Sequence, residues 1–565
     1  MKQINKQIIK TITLSLIASS TLLAATPNVP TISDIEKQIQ IKPPKEVQQK
    51  QTPLIELNGV KKYAPVMKDD KSGKTIFVKS FEIQNAIHIE QSALQNLIKE
   101  YKNKDLTFND LQNVASIITK EYRKKGYFVA RAYIPVQNIR KNNGKIILAI
   151  IEGNYGKFIL ENNSLVKNNT VQAMLDDAKR DNVVSTSTLE RSMLIINDTP
   201  GVVVSAADVM PGTQIGTSDF KIITQASNRI NSYIIGDNTG SRYTGKNRLM
   251  AGLTINSPFN IGDKISLSGL VSNGADLKNG RVAYEIPLME NGLKGEISYS
   301  QTNYSLTKDY EDLDAVGTSK TIDATITYPI KRTRNENLYV SLNLANKNLN
   351  DEVKSTNTQT KKNTRLATVS LAYDKTYQAY SKPTNSSVNF SVTKGNLNYD
   401  DNTQDSTNLR GGYSKVNLDL NNTIYLSNKI SLESSLKMQY ALQNKNLDGS
   451  EDFSIGGSSG VKLYPDGELS AENGYVINLE AKYQLPNYKN LNSSIGLFYD
   501  RGRAWMTNNN VDFEAKSLQD LGLGYYVSYK NFFAKTQMAW NVNSQDVTSE
   551  DNRNFRFLFQ GGVSF

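Results

Sequence analysis

The stretch KISLESSLKMQYAL, residues 429–442, decides how this chain is to be read. Ile430, Leu432, Leu436, Met438 and Tyr440 fall on alternate positions, with Ser431, Glu433, Lys437 and Gln439 between them. Alternation of this kind marks a strand with one face in apolar surroundings and the other in water. The same pattern recurs upstream, in Leu249, Ala251, Leu253 and Ile255, in Leu338, Val340, Leu342 and Leu344, and in Val388, Phe390 and Val392. It recurs at the C-terminal run FRFLFQGGVSF, where Phe555, Phe557, Phe559, Val563 and Phe565 share a face. Polar stretches rich in Asn, Asp and Gly separate these segments.

Period-two patterning suits a soluble sandwich or an outer-membrane barrel. Three features favour the barrel. The alternation fills residues 227–565 without a helical break, 29 tyrosines are available for interface girdles, and the chain ends on an aromatic-faced strand. Closure also removes the exposed edges that a long open sheet would carry. At roughly 20 residues per strand and connection, about 16 antiparallel strands fit. No segment offers the roughly 18 apolar residues of a spanning helix, so a membrane-bound form must be a barrel.

The first 25 residues read as a signal peptide. Lys2, Lys6 and Lys10 precede the apolar run TITLSLIASSTLLAA, and cleavage is expected after Ala24 or Ala25, although Leu at the −3 position is a poor fit. Residues 26–72 read as a short helix, ISDIEKQIQI, stopped by Pro43 and Pro44 and followed by a Lys/Gln-rich linker. Ile32, Ile35, Ile39 and Ile41 give that helix a weak apolar stripe.

Two small α/β modules follow, over 73–153 and 154–226. In the first, TIFVKSFEIQ reads as a strand and EQSALQNLIKEY as a helix. A second helix starts at Thr107, with Asp110 completing a capping box. Leu111, Val114, Ala115, Ile118 and Tyr122 line one face of it, and Gly126 closes it. FVARAYIP and GKIILAIIEG are its remaining strands. The second module repeats the order: strand YGKFILEN, helix NTVQAMLDDAK, a helix capped at Ser187 with Glu190, then strands VVVSAADVMPG and SDFKIITQ.

Composition excludes several functions. With no cysteine there is no disulfide framework, thiolate metal site or thiol nucleophile. The lone His88 has no second histidine to complete a site and reads as a packed or surface residue. No paired carboxylate or Ser-His-Asp constellation stands out, so no enzyme, metal or cofactor is expected. The net charge of +11 is spread along the whole chain rather than clustered, which argues against nucleic acid.

In order along the chain, these pieces resemble the two-partner secretion translocators, the TpsB family of haemolysin or haemagglutinin secretion-activation proteins, related to BamA-type barrels. LTFNDLQNVASIITKEYRKKGYFVARAYIPVQNI with GKIILAIIEGNYGKF is similar to the first POTRA module of that family. LERSMLIINDTPGVVVSAADVMPGTQIGTSDF is similar to the second, and GDNTGSRYTGKNRLMAGLTINSPFNIGDKISLSG to the start of the barrel. FSIGG, LYPDGE and ENGYVINLE resemble the loop between its eleventh and twelfth strands, and GLFYDRGRAW the strand against which that loop docks.

The resemblance implies an outer-membrane translocator with POTRA modules in the periplasm. It would bind an unfolded secreted partner, a large β-helical adhesin or cytolysin with an N-terminal secretion domain, and export it through the barrel. Outer-membrane lipid and the barrel-assembly machinery would be its other partners. The helix after the signal would plug the resting pore. A BamA-type assembly factor is the alternative, though such relatives usually carry more POTRA modules, and a diffusion porin is a remoter one. The family's loop tip, Val-Arg-Gly-Tyr/Phe, aligns with Val461, Lys462, Leu463 and Tyr464, so Lys replaces Arg and Leu replaces Gly. Asp500, preceded by Phe498, is the acidic partner on the wall. Lys lacks the two-pronged guanidinium contact and Leu the backbone freedom of Gly, so looser docking is expected. Tyr122, Arg131 and Tyr133 are the candidate client-facing residues of the first module, and Phe565 the C-terminal barrel signal.

Overall fold

A computed structural model describes Thr31 and residues 73–138, 142–400, 408–508, 515–542 and 545–565. The signal segment at 1–25 and, Thr31 apart, the helix and linker expected over 26–72 lie outside the described residues.

The first module opens with β1 (Thr75–Val78) and β2 (Ser80–Gln84), followed by α1 (Gln91–Leu97), β3 (Lys104–Thr107) and α2 (Phe108–Lys124). It ends with β4 (Arg131–Tyr133) and β5 (Lys145–Ile151). β5 is the centre of a sheet ordered β2-β5-β4, parallel to β2 and antiparallel to β4, while β1 and β3 form a separate ribbon. The capping box at α2 is reciprocal: Asp110 N–H donates to Thr107 Oγ1 at 3.1 Å and Thr107 N–H to Asp110 Oδ2 at 2.9 Å. The five apolar residues expected on one face of α2 are all buried against the sheet.

The second module repeats the plan with β6 (Asn154–Asn163), α3 (Asn168–Asp177), α4 (Thr186–Asn197), β7 (Val203–Pro211) and β8 (Thr217–Gln225), its sheet ordered β6-β8-β7. One cap differs from the expectation. Ser185, not Ser187, caps α4, with Thr188 N–H donating to its Oγ at 3.1 Å. The helix starts two residues earlier because Ser185 holds the extended backbone that an N-cap needs. Glu190 turns away instead, and its Oε1 lies 3.1 Å from Arg334 Nε.

The wall of the barrel begins with β9 (Ile230–Asp237), β10 (Arg248–Asn256), β11 (Lys264–Ser272), β12 (Leu277–Pro287) and β13 (Lys294–Ser305). It continues through β14 (Ala315–Arg332), β15 (Glu336–Val353), β16 (Thr358–Ala379), β17 (Lys382–Tyr399), β18 (Gly411–Tyr425) and β19 (Ile430–Ala441). The chain then leaves the wall, forms a small ribbon of β20 (Phe453–Ser454) and β21 (Ser470–Ala471), and returns as β22 (Asn473–Gln484). β23 (Leu491–Trp505), β24 (Lys516–Tyr529), β25 (Phe532–Asn541) and β26 (Phe555–Ser564) complete it.

Among the described residues the wall is thus a closed barrel of sixteen strands, each antiparallel to its neighbours, with β26 pairing back onto β9. That seam is short. It runs from Gln560–Asp237 to Ser564–Tyr233, five pairs, against eighteen between β15 and β16. Phe565 extends it, its N–H donating to Ser232 O at 2.8 Å.

The alternation maps onto the wall as the sequence requires. Leu344, Phe390, Ile430, Phe555, Phe557 and Phe559 stand outward and stay exposed, as lipid-facing residues must. No helix among the described residues is long and apolar enough to cross a membrane.

The second module fixes which end of the barrel is inner. Arg332, at the end of β14, grips Asp198 beyond α4 with two bonds of 2.6 and 2.7 Å. Arg191 Nη2 donates to Pro329 O at 2.7 Å, and Lys294 Nζ to Asp198 O at 2.6 Å. The 288–293 and 333–335 hairpins therefore face the modules, and the 442–472 connection starts from the opposite, outer end.

Candidate functional site

The connection between β19 and β22 is no surface loop. It folds into the bore, and its tip, Val461–Tyr464, is buried at every residue. Two glycines make the fold possible. Gly457 has φ +99°, a conformation that side-chain-bearing residues rarely adopt. A Cβ on Gly460 would lie 2.3 Å from Ile455 O, where no atom fits. Between them Ser458 and Ser459 turn the chain, and Val461 N–H returns to Ile455 O at 2.8 Å.

Each tip residue has a defined partner on the wall. Lys462 Nζ lies 2.7 Å from Asp500 Oδ2 on β23 and sits 4.4 Å from the centroid of the Phe498 ring. Asn478 on β22 bridges the same site, donating to Asp500 Oδ1 at 2.7 Å and to Gly460 O at 2.8 Å. Leu463 N–H donates to Asp520 Oδ2 on β24 at 2.6 Å. Asp520 is the register partner of Asp500, so one ammonium and one amide of the tip meet two adjacent carboxylates. Arg556 on β26 donates to Lys462 O at 3.2 Å and also to Tyr464 O. The Tyr464 hydroxyl donates to Gln545 O.

Beneath these polar contacts lies an apolar cluster of Ile455, Val461, Leu463, Tyr464, Val476 and Phe498. Leu463 is wholly buried there. Its backbone has no positive φ, so the freedom of a glycine is not needed at that position. Lys462 and Asp500 are desolvated, with side chains 10% and 0% exposed. In such surroundings the loss of one partner costs about 3–5 kcal/mol, rather than the ~1 kcal/mol of a surface pair.

Asp520 and Arg556 were not singled out in the sequence. Both occupy polar, inward positions on strands read only as alternating. An arginine between the outward phenylalanines of FRF, and an aspartate in register with Asp500, are the signals that point to them.

The first module places its candidates differently. Arg131 and Tyr133 lie on β4, an edge strand of three residues, with Tyr133 exposed. Tyr122 does not face a client. It is fully buried, and its hydroxyl donates to Glu152 Oε1 at 2.9 Å. The helical periodicity that places Tyr122 on the core-facing side of α2 also removes it from the surface. Glu152 accepts further bonds from the Ile87 and His88 amides, both at 2.9 Å, and its Oε2 lies 2.5 Å from His88 Nδ1. Burial alone would raise the Glu152 carboxyl, but these donors outweigh it and hold it below its ordinary range. The β4 edge is also partly occupied, since Ala132 N–H donates to Thr119 Oγ1 of α2 at 2.9 Å.

Comparison with known proteins agrees with this architecture. Residues 76–153 match the ShlB-type POTRA domain. Residues 216–525, over half of the chain, match the family described as haemolysin secretion/activation protein ShlB/FhaC/HecB. The heme/hemopexin transporter protein HuxB of Haemophilus influenzae is 26% identical over 524 residues, covering 90% of this chain and 91% of its own. The outer membrane transporter CdiB of Dickeya dadantii is 21% identical, covering 88% and 90%. Among solved structures, CdiB from Escherichia coli superimposes with a TM-score of 0.74 at 16% identity, over 90% of this chain and 95% of that one. The chain belongs to the ShlB/FhaC/HecB haemolysin secretion/activation family of outer-membrane two-partner secretion transporters.

Proposed function

We propose that the folded-in loop is the moving part of this transporter, anchored at rest by Lys462 on Asp500 and Leu463 on Asp520. The observation that carries this reading is the buried tip itself. Its charged and main-chain groups are matched one by one on β22, β23, β24 and β26, so displacement must break several desolvated bonds together.

A client chain reaches the barrel through the modules. The β4 edge and the neighbouring α2 offer main-chain pairing to an extended polypeptide, which demands little of its sequence. Arg131 and Tyr133 flank that edge. The client is an unfolded exported protein of the large β-helical adhesin or cytolysin kind, carrying an N-terminal secretion domain. Its folding outside supplies the driving force, and no catalytic step by this chain is required. The barrel itself reaches the outer membrane through the barrel-assembly machinery, with Phe565 part of the signal and lipid around the apolar wall.

Secretion of the cognate partner by Lys462→Ala and Asp500→Ala strains tests the anchor. We expect both to secrete poorly while the barrel is present at parental level. Parental secretion by both would remove the anchoring role.

A further inference from the structure

A second set of buried charges lies away from the tip, on a different arc of the wall. The limb leading into the loop, residues 442–452, leaves β19 at the outer end and carries Asp448 and Glu451. Asp448 Oδ2 lies 2.9 Å from Lys362 Nζ on β16 and accepts the Tyr399 hydroxyl of β17 at 3.1 Å. Glu451 Oε2 lies 2.9 Å from Lys415 Nζ on β18, and its Oε1 3.5 Å from Lys347 Nζ on β15. The main chain is held as well, with Lys415 and Gln439 both donating to Glu451 O, at 2.9 and 2.7 Å. Both carboxylate side chains are only 4% exposed. Between them and β19, Leu447 packs on Leu397, Tyr399 and Tyr413.

The limb is tied on another side too. Asn446 and the connection after β23 exchange two bonds, Asn508 N–H to Asn446 Oδ1 at 3.0 Å and Asn446 Nδ2 to Asn508 O at 3.4 Å. Counted around the barrel, Lys347, Lys362, Lys415 and Gln439 sit on strands seven, eight, ten and eleven, whereas the tip rests on twelve, thirteen, fourteen and sixteen. The loop is therefore held on two adjoining arcs that share no wall residue, and its limb reaches from strands seven, eight and ten to the connection after strand thirteen at the outer end.

We propose that residues 442–452 are an ionic strap that closes the outer mouth at rest. The strap lifts as one unit, because Asp448 and Glu451 each need lysines that only the wall supplies. Its release is separate from release of the tip, with which it shares no wall residue. The site is therefore an autoinhibitory contact distinct from the Lys462 anchor, and its failure would leave that reading intact.

The test uses the purified full chain in planar bilayers bathed in KCl. Asp448→Asn with Glu451→Gln removes both strap charges, and we expect the conducting state to be populated about ten-fold more, as loss of buried pairs shifts a two-state equilibrium. Exchanging the signs, Lys362→Asp with Asp448→Lys, should return conductance toward the parent. A neutralised variant that is folded and conducts like the parent overturns the proposal. Should neutralisation prevent folding, the absence of native cysteines allows a second arm. Asn446→Cys with Asn508→Cys, oxidised to a disulfide, should conduct less than the same protein after reduction. Equal conductance before and after reduction also overturns the proposal.

Discussion

Lys462 lies beside two carboxylates and over one ring, so its replacement tests how the tip is held. Lys462→Met keeps the length of the stem and removes the charge. It strands Asp500 beside Asp520, and we expect about 3–5 kcal/mol of docking free energy to be lost. Limited proteolysis of intact outer membranes checks this: cleavage within 456–470 should appear in the variant and not in the parent. The pairing of Lys462 with Asp500 was legible because a family resemblance aligned the two segments. Asp520 and Arg556 were not, since their contacts with Leu463 and Lys462 span 57 and 94 residues of sequence. An alternating strand reveals which face a residue occupies but not what lies across the bore. The Lys and Leu replacements lead to an expectation of looser docking. The structure shows the tip docked, with Lys462 in a close ion pair, Leu463 in a buried apolar seat, and main-chain groups of the tip bonded to Asp520 and Arg556.

At the scale of elements, α2 and its cap repay attention because they support the edge offered to a client. Thr107→Ala should lower the stability of the first module by about 1 kcal/mol. Hydrogen exchange across α2 in the full chain would read it. Thr119→Val removes the hydroxyl that occupies Ala132 N–H, so the edge gains a free donor. We expect tighter capture of an extended client, measured as a lower Kd, together with about 1 kcal/mol of lost stability. Glu152 gives the module a pH dependence of known sign. Its carboxyl is held below the ordinary range, so its contribution is complete above the unfolded value of about 4.3 and is lost as pH falls through the lower folded value. The melting temperature of the first module should therefore fall as pH drops below about 4, and Glu152→Gln should lessen that fall. The helices were legible from periodicity and caps, because each is a local pattern. The start of α4 was misplaced by two residues because Ser185 and Ser187 are equally good caps by composition. Only the backbone at Ser185 decides between them.

The whole molecule is a barrel with its second module clamped beneath it by Arg332, Arg191 and Lys294. Arg332→Ala removes the bidentate grip on the Asp198 carboxylate and leaves Lys294 holding only its main-chain oxygen. We expect the second module to move more freely against the barrel. Distance distributions between spin labels on α4 and on the 333–335 hairpin should broaden, while heat-modifiable gel mobility of the barrel stays parental. Closure into a barrel was legible in the long alternation, and the strand number in its length. The folded-in connection was not visible from period alone, because its Gly- and Ser-rich composition is also that of an ordinary outer loop.

The unequal ladders have a mechanical consequence. A cylinder pulled apart tears along its weakest line, and five pairs at the β9–β26 seam stand against eighteen at β15–β16. Heat or detergent should peel this barrel at that line first, so its resistance to denaturation is set by a handful of residues beside Phe565 rather than by the bulk of the wall. Stiffening the seam, not enlarging the apolar surface, is then the way to a hardier barrel.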